Sequence, residues 1–433
     1  MVRILEASAV QAVEELLARR REENREVELR VAEIIADVRA KGDEALCRYT
    51  ALFDGCHLRP EELRVPPEEA LAATKEVGAE FLAALEAAAE NITAYHRRQL
   101  AGSWLEAGRQ GLLVGQLVRP LKRVGIYIPG GRAAYPSSVL MTALPARVAG
   151  VREIVMVSPP DHRGRINPHT LAAAVRAGVT EIYRLGGAQA VAALAYGTET
   201  IRPVEKIVGP GNLYVTVAKR QVFGQVDIDM LAGPSEIAVV ADGTAEPRYV
   251  AADMLSQAEH DPLARALLFT PERPLALAVR EELERQLRDL PRREIAGEAL
   301  ARHGAIVVTR DLGEAVELAD RFAPEHLELM VRDPFLWLGR ITAAGAVFLG
   351  PHAPEPLGDY LAGPSHVLPT GGTARFSSPL GVETFLKKIS LIACSEEALL
   401  SMAGHIAALA RVEGLEAHAR AVEMRTAERK NRR

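Results

Sequence analysis

The stretch Glu153–Leu185, which reads EIVMVSPPDHRGRINPHTLAAAVRAGVTEIYRL, contains a strand, a helix and a second strand in succession. Its two ends, Glu153–Val157 and Glu181–Leu185, are short runs of the kind that form buried strands, and Pro168–Ala177 between them is helical in pattern. A strand, a helix and a strand in this order form a βαβ unit. The stretch therefore predicts a parallel sheet that is covered by helices.

The same alternation continues on both sides of this unit and divides into two series. One series begins at about Leu112, and the other begins near Ser235. We therefore predict two α/β blocks, between which the chain crosses at Leu231–Glu236, with loops that face one another across a ligand-binding crevice. The other predicted strands are Val124–Ile128, Lys206–Val208, Glu236–Ala241, Ala266–Phe269, Ala305–Thr309, Leu327–Val331 and Ala346–Leu349, and the other predicted helices are Ala188–Tyr196, Asn212–Val222, Pro247–Glu259, Leu275–Leu287 and Leu312–Asp320.

The segments outside the two blocks have a helical pattern. Apolar residues recur at three- and four-residue spacing in Ala9–Arg20, Val27–Phe53 and Pro67–Leu100. The chain after Glu383 is also expected to be helical, as far as a basic tail. Leu361–Leu380 is rich in glycine, proline, serine and threonine, which predicts a long ordered loop.

The composition is that of a globular protein that needs no covalent or metal support for its fold. The chain has 433 residues, of which 48% are hydrophobic and 25% charged, and a formal net charge of −5. Its cysteines, Cys47, Cys56 and Cys394, form no Cys-x-x-Cys pair, so that any metal must be held by nitrogen and oxygen ligands. We find no sign of nucleic-acid binding, of a signal peptide or of a membrane span, and we expect a cytoplasmic protein.

Four pairs of polar residues are candidates for a functional site. Gln257 and His260 are three residues apart near a helix end, where both side chains can reach one point, although a histidine at a helix C-terminus is also common without any ligand. Glu325 and His326 differ in pKa and adjoin a predicted strand, so they are able to divide acid and base work, or to form an ordinary polar turn.

The other two pairs lie nearer the C-terminus. Asp359 and His366 flank a Gly-Pro bend and are candidates for a metal or substrate site, although turn chemistry alone explains an aspartate there. Glu413 and His418 flank Gly414, which weakens a helix, so that both are expected to project from a break between helical segments.

Evidence for a dinucleotide cofactor is weak when it is taken from the residues alone. The chain has no Gly-x-Gly-x-x-Gly motif. Gly209-Pro210-Gly211 and Asn212 join a predicted strand to a predicted helix, where backbone N–H groups can point at an anion, but a tight turn would have the same sequence. The residues therefore indicate a two-block α/β enzyme with possible histidine, aspartate and glutamine metal ligands, and they do not define a substrate.

Longer motifs, in order along nearly the whole chain, are more specific, and together they resemble the histidinol dehydrogenase family. The longest match runs from Leu357 to Leu386 and contains HVLPTGGTARFSSPLG. The shorter ones are VGIYIPGG at 124–131, GGAQAVAALAYGT at 186–198, KIVGPGN at 206–212, AGPSE at 232–236, SQAEH at 256–260, APEHL at 323–327 and EGLEAH at 413–418.

This resemblance implies an α/β homodimer that oxidises L-histidinol to L-histidine through L-histidinal, with NAD and zinc as cofactors. The fold it implies consists of two incomplete Rossmann-like domains with parallel-rich sheets. The implied domains are a helical extension at 1–25, a domain of residues 26–120 plus 234–380 that carries the metal and catalytic residues, a domain of residues 121–233 on the NAD side, and a helical extension at 381–433 that reaches the partner subunit.

The resemblance also assigns roles to individual residues. The implied zinc ligands are Gln257, His260, Asp359 and the partner subunit's His418. His326 is the implied base for the alcohol step, and Glu325 is implied to activate water for the aldehyde step. The implied substrate contacts are Ser235, Gln257, His260, His326, Asp359, His366, Glu413 and His418, and the implied NAD contacts are Tyr127, Gln189 and Asn212. A related dehydrogenase of another small alcohol is the alternative that shares the Glu-His pair.

Overall fold

The computed structural model describes residues 2–18, 24–108, 111–130 and 134–430, and these residues form two compact units. The larger unit consists of Met1–Gln99 and Leu121–Phe385, and the smaller unit of Leu100–Pro120 and Leu386–Arg433. Gly131, in one of the family motifs, lies outside the described residues.

The described helices are α1 (Val10–Leu17), α2 (Arg25–Asp54), α3 (Pro67–Glu76), α4 (Ala79–Arg97), α5 (Pro136–Ala149), α6 (Pro168–Ala177), α7 (Gly187–Tyr196), α8 (Leu213–Val222), α9 (Pro247–Ala258), α10 (Arg273–Leu287), α11 (Arg293–His303), α12 (Leu312–Phe322), α13 (Glu355–Tyr360), α14 (Glu396–Val412) and α15 (Glu416–Lys430). The described strands are β1 (Arg3–Glu6), β2 (Trp104–Ala107), β3 (Leu112–Pro120), β4 (Arg123–Tyr127), β5 (Glu153–Ser158), β6 (Glu181–Arg184), β7 (Lys206–Val208), β8 (Asp227–Ile228), β9 (Glu236–Ala241), β10 (Arg265–Thr270), β11 (Ala305–Val308), β12 (His326–Met330), β13 (Ala346–Leu349) and β14 (Leu386–Cys394).

The larger unit contains the two predicted parallel sheets. One has five strands in the order β6-β5-β4-β7-β8, and the other has six in the order β1-β11-β10-β9-β12-β13, with every pair of neighbours parallel. If β1 is left out and the remaining strands of each sheet are numbered along the chain, both sheets have the order 3-2-1-4-5. This is the Rossmann order without its sixth strand. The predicted α/β class with two incomplete Rossmann-like domains is confirmed. The strand β1 was not predicted; it extends the six-stranded sheet beside β11.

The central strands are apolar on both faces because helices cover both sides of each sheet. All six residues of β9 are buried. Ile237 and Val239 contribute to a core with α9, α10 and α11, whereas Ala238 and Val240 contribute to a core with α12 on the other side. This alternation explains why the strand reads as a continuous apolar run rather than as an alternating one.

The smaller unit corrects one expectation about the C-terminal part of the chain. The helix expected after Glu383 begins only at Glu396, because Leu386–Cys394 forms the strand β14. This strand pairs antiparallel with β3 over nine residues, and β2 pairs with the other edge of β3. A long-range pairing of this kind overrides a local helical pattern. The helices α14 and α15 follow, as expected for the end of the chain.

The domain boundaries proposed from the sequence stay a prediction; they are 1–25, 26–120 plus 234–380, 121–233 and 381–433. Within the described ranges, no helix combines the length and the apolar character needed to cross a bilayer.

Candidate active site

Glu325 and His326 are both held by the backbone of one residue of the neighbouring strand, Glu236. His326 is the first residue of β12, which lies beside β9 in the six-stranded sheet. The backbone N–H of Glu236, the first residue of β9, donates to Glu325 Oε2 at 3.0 Å, and His326 Nδ1 lies 3.0 Å from the backbone oxygen of the same Glu236. Both side chains are buried. The pair therefore sits where the strand order of this sheet reverses, at the amino ends of its strands rather than at the carboxyl ends expected for open α/β sheets.

The contact with Glu236 determines which nitrogen of His326 carries the proton. A carbonyl oxygen only accepts hydrogen bonds, so Nδ1 must be the donor and Nε2 has the free lone pair. His326 Nε2 has no hydrogen-bond partner among the described residues, and its neighbours Glu355 Oε1 and Asp359 Oδ1 are both 3.9 Å away. Burial lowers the pKa of His326 to about 3, so the imidazole is neutral. It is thus a base that is ready to accept a proton through Nε2.

Burial shifts the pKa of Glu325 in the opposite direction from that of His326. Burial, more than any other influence, raises the pKa of its carboxyl group well above the usual value, and the charge of Glu236 adds to the effect. Glu325 Oε2 lies 3.7 Å from His326 Nδ1. Two adjacent residues with pKa values shifted in opposite directions are suited to different proton-transfer tasks.

His366 is oriented by both α/β halves of the larger unit. Its Nδ1 lies 3.1 Å from the backbone oxygen of Asp359, so this nitrogen donates and Nε2 accepts from the Ser138 hydroxyl at 3.3 Å. Ser138 is buried near the start of α5, which follows the strand β4 of the five-stranded sheet. Burial lowers the pKa of His366 to about 4, so this ring is neutral as well. Ser138 was not recognised from the sequence, because nothing near it in the chain distinguishes it from an ordinary serine at the start of a helix.

Two of the predicted site residues, His260 and Asp359, belong to a group of metal-type donors. Ligand atoms of His260, Asp359 and Glu355 all lie within 4.8 Å of one another. Gln257 is only 1% exposed, and neither its amide oxygen nor its amide nitrogen has a hydrogen-bond partner in the part of the chain that the structure describes. A buried amide with no hydrogen-bond partner is costly, and a bound ion or water is one way to satisfy it.

Two local predictions about these residues need correction. His260 is not in the last turn of its helix, because α9 ends at Ala258 and the chain turns there, with the His260 N–H 3.3 Å from the Gln257 backbone oxygen. Asp359 lies in the short helix α13 and not in a loop. Pro356 lies in the first turn of this helix, where proline removes no intrahelical hydrogen bond.

Buried carboxyl groups that were not recognised from the sequence adjoin this group. Glu355 and Glu328 are each 1% exposed, and Asp253 is also buried. The Glu355 N–H donates to Glu328 Oε1 at 2.9 Å, and burial raises the pKa of Glu355 to about 8 and that of Asp253 to about 6. Glu328 was recognisable only as a charged residue inside an apolar strand, which is rare without a partner.

A cavity of about 1020 Å³ gives access to this part of the molecule. His326, Asp359 and His366 line it from the six-stranded half, and Lys206 and Asp229 line it from the five-stranded half. Its volume is at the upper end of the range typical of small-molecule sites. The two α/β halves therefore border a crevice, as the sequence predicted.

Ser235, another predicted contact, directly precedes Glu236 and is partly buried. Its backbone oxygen accepts from the Arg265 N–H at 3.0 Å.

The three predicted cofactor residues are grouped around the five-stranded sheet. Tyr127 ends β4, and its hydroxyl oxygen accepts from the N–H of Gly187, the first residue of α7, at 3.1 Å. Gln189, two residues further, is fully buried, and both polar atoms of its amide lack a partner from any described residue. Asn212 is exposed and begins α8, where its side chain accepts from the Val215 N–H at 3.2 Å.

The predicted strand–turn–helix at 206–222 is confirmed. Gly209 has φ 107°, and a Cβ atom there would lie 2.3 Å from the Tyr127 backbone oxygen, so only glycine fits this turn. Because β4 and β7 are neighbours, Tyr127 and Asn212 lie at the point where the strand order of this sheet reverses.

Glu413 and His418 belong to the smaller unit. Glu413 caps the C-terminus of α14, His418 lies in the first turn of α15, and both are exposed, so the predicted break between helical segments is confirmed. Their participation in the site stays a prediction.

Comparison with known proteins identifies the family of this chain. A family model described as histidinol dehydrogenase matches residues 17–426. The chain is 62% identical to the histidinol dehydrogenase of Moorella thermoacetica over 399 residues, which are 92% of this chain and 94% of that protein. It is 55% identical to the histidinol dehydrogenase of Heliobacterium mobile over 425 residues, which are 98% of this chain and 99% of that protein.

The structural comparison agrees with the sequence comparison. The crystal structure of histidinol dehydrogenase from Elizabethkingia anophelis is similar to this structure with a TM-score of 0.93 and 37% sequence identity, over 97% of this chain and 96% of that one. The chain therefore belongs to the histidinol dehydrogenase family.

Proposed function

We propose that this chain oxidises L-histidinol to L-histidine through L-histidinal, in two successive hydride transfers to NAD, and that it requires zinc. Membership of the family supports an oxidoreductase of histidine biosynthesis that acts on histidinol. The observation that carries the two-step proposal is the neutral His326, whose free Nε2 faces the donor atoms of Glu355 and Asp359. We also propose that the protein is a cytoplasmic homodimer with shared sites.

The residues present fit a divalent metal such as zinc. Imidazole nitrogen and carboxylate oxygen are ordinary zinc ligands, and His260 and Asp359 supply both from neighbouring positions. The unpartnered amide of Gln257 adds a buried oxygen whose only compensation would be a ligand. In this proposal Gln257, His260 and Asp359 hold the metal together with His418 of the partner subunit. When bound, the metal supplies anchoring points for the amine and the imidazole of histidinol and does not polarise its alcohol.

The residues of the five-stranded half fit a dinucleotide. The unpartnered amide of Gln189 has one donor and one acceptor end, both of which a nicotinamide or ribose group can satisfy. The tight turn at Gly209 brings the start of α8 close to the end of β4, as cofactor sites in open α/β sheets require. We propose that Tyr127, Gln189 and Asn212 contact NAD, which accepts the hydride in both steps.

In the alcohol step, His326 acts as general base. Its Nε2 takes the proton of the substrate hydroxyl, while the Nδ1–H bond to Glu236 keeps the ring in the required tautomer. The low pKa of this buried ring keeps it unprotonated and available before the step. Ser235, His366 and the partner's Glu413 are proposed to hold the substrate, with His366 kept neutral by the same burial.

In the aldehyde step, Glu325 activates water. The carboxylate takes a proton from water as the water oxygen bonds to the aldehyde carbon, and it returns that proton to the aldehyde oxygen, which gives a hydrate. The hydrate then loses its hydride to NAD and one hydroxyl proton to His326 Nε2, once that ring has released its first proton, which gives the carboxylic acid. Glu325 must be ionised to do this, so the rate of this step is expected to rise with pH as its carboxyl group loses its proton.

The substrate is tested by supplying other small alcohols. The alternative, an NAD-dependent dehydrogenase of another small alcohol, retains the Glu-His pair but has no need of residues that recognise imidazole and amine. Rates for L-histidinol should exceed those for imidazole-free amino alcohols by several orders of magnitude. A zinc-loaded protein that oxidises such an alcohol and leaves histidinol unchanged would favour the alternative.

A further inference from the structure

Glu355 is buried beside the proposed metal ligands, and one of its two carboxylate oxygens is unused. It is the first residue of α13 and is 1% exposed. The Ser256 hydroxyl donates to Glu355 Oε2 at 3.2 Å, and the Glu355 N–H donates to Glu328 Oε1 at 2.9 Å. Glu355 Oε1 has no hydrogen-bond partner within the described ranges. The side chain is therefore anchored through Oε2, and its carboxyl group lies within hydrogen-bond reach of the carboxyl group of Asp359, where a bound cation would replace a shared proton.

The free oxygen points toward the donor group. Ligand atoms of Glu355, His260 and Asp359 lie within 4.8 Å of one another, and Glu355 Oε1 is 3.9 Å from His326 Nε2. Ser256, which holds the other oxygen, immediately precedes Gln257, whose amide is also buried and unpartnered. Ser256 of α9 thus anchors a carboxylate of this group, and the next residue of the same helix has the unpartnered amide.

Charge gives an independent reason for a second carboxylate. The set of Gln257, His260, Asp359 and His418 has one formal negative charge when its imidazoles are neutral, so a divalent cation would leave a net charge of +1 next to the buried side chains of Glu355 and His326. An uncompensated charge beside buried groups is costly. The carboxylate of Glu355 would make the site neutral.

We propose that Glu355 is a further ligand of the divalent metal, through Oε1, in the substrate-free protein. This inference rests on the proposed metal site and adds one residue to it. Ser256 and Glu328 then act as positioning residues, because they fix the carboxylate and the start of α13 by the two hydrogen bonds described above. The expected Oε1–metal distance is about 2.0–2.2 Å.

A crystal structure of the zinc-loaded, substrate-free full chain tests the inference directly. A bond from Glu355 Oε1 to zinc at about that length is the expected result. A zinc ion held by the other ligands, with Glu355 Oε1 more than about 3 Å away, would overturn the inference and leave the proposed metal site standing. Absence of zinc from these residues would overturn both.

Zinc affinity gives a second test, with a matched control. The dissociation constant of Zn²⁺ is measured by competition with a chelator for the wild type, Glu355→Leu and Glu328→Leu, because leucine has no oxygen that could bind the metal. Loss of a ligand should weaken binding by more than about 100-fold in Glu355→Leu, whereas loss of an outer-shell partner in Glu328→Leu should stay within about 10–100-fold. Equal effects of the two substitutions, or wild-type affinity in Glu355→Leu, would contradict a ligand role.

Discussion

Replacement of Gln257 by methionine should stabilise the metal-free protein. Methionine has a similar length and a similar helix propensity but no polar atoms at the end of its side chain. Gln257 is 1% exposed and both polar atoms of its amide are unpartnered among the described residues. A buried polar group without a hydrogen bond costs about 1–3 kcal/mol. The free energy of unfolding of metal-stripped Gln257→Met should therefore exceed that of the metal-stripped wild type by about 1–3 kcal/mol.

Zinc should reverse this order. A ligand that binds only the folded state stabilises it by about 4.1 kcal/mol at a free concentration 1,000 times its dissociation constant. The wild type should gain this stabilisation, and Gln257→Met should lose most of it because one ligand is missing. The assay is urea or thermal unfolding of both proteins, each with zinc and after stripping.

Gln221 provides a matched control for the same substitution. Its amide nitrogen donates to the Glu28 backbone oxygen at 2.9 Å, so Gln221→Met should destabilise the protein equally with and without zinc. If Gln257→Met is less stable than the wild type after stripping, the amide has a structural role and the reasoning fails.

Three further predictions concern proton transfer, the dimer and the buried carboxyl groups. Glu325→Gln should slow the aldehyde step by about 10²–10⁴-fold and the alcohol step much less. It should also abolish the rise of the aldehyde rate with pH. Stopped-flow rates that fall equally in both steps would show that Glu325 does not have this role. A mixture of an inactive Gln257 variant and an inactive His418 variant, allowed to exchange subunits, should regain about a quarter of wild-type activity. Half of the dimers formed at random are hybrids, and each hybrid has one intact site out of two. Inactive hybrids of verified composition would exclude a shared site. Burial and the charge of Asp253 raise the pKa of Glu328 above 4.5 in the folded protein. The contribution of this carboxyl group to the free energy of unfolding is therefore fully present below pH 4.5 and is lost as pH rises. Glu328→Gln should thus become more stable relative to the wild type as pH rises above 4.5, and a difference in melting temperature that does not change with pH would contradict this.

Local sequence patterns were sufficient to predict most elements of the two sheets. The run Glu236–Ala241 and the stretch 153–185 predicted strands and a helix correctly because each is bounded by clear turn residues and buried on both faces. The strand β14 was missed because its stability depends on nine residues of pairing with β3, which lies more than 250 positions earlier in the chain. Long-range pairing of this kind leaves little trace in local periodicity.

The site could be predicted in part, for a physical reason that differs from residue to residue. Glu325 and His326 are adjacent in sequence, so a motif reveals them. The tautomer of His326 depends on a carbonyl oxygen 90 positions away, and the orientation of His366 depends on Ser138 of the other α/β half. Glu355 lies between two prolines and resembles a loop residue until the fold places it beside His260. Sequence motifs identify reactive groups, whereas their protonation and partners follow from tertiary contacts.

The most direct test of the central claim is a count of NADH formed per L-histidinol by the purified protein, before and after the metal is stripped and after zinc is restored. The proposed function predicts two NADH for each histidinol, the appearance of histidine, loss of turnover on stripping and recovery with zinc. A zinc-loaded protein that forms no NADH from histidinol, or an undiminished rate after verified removal of the metal, would contradict it.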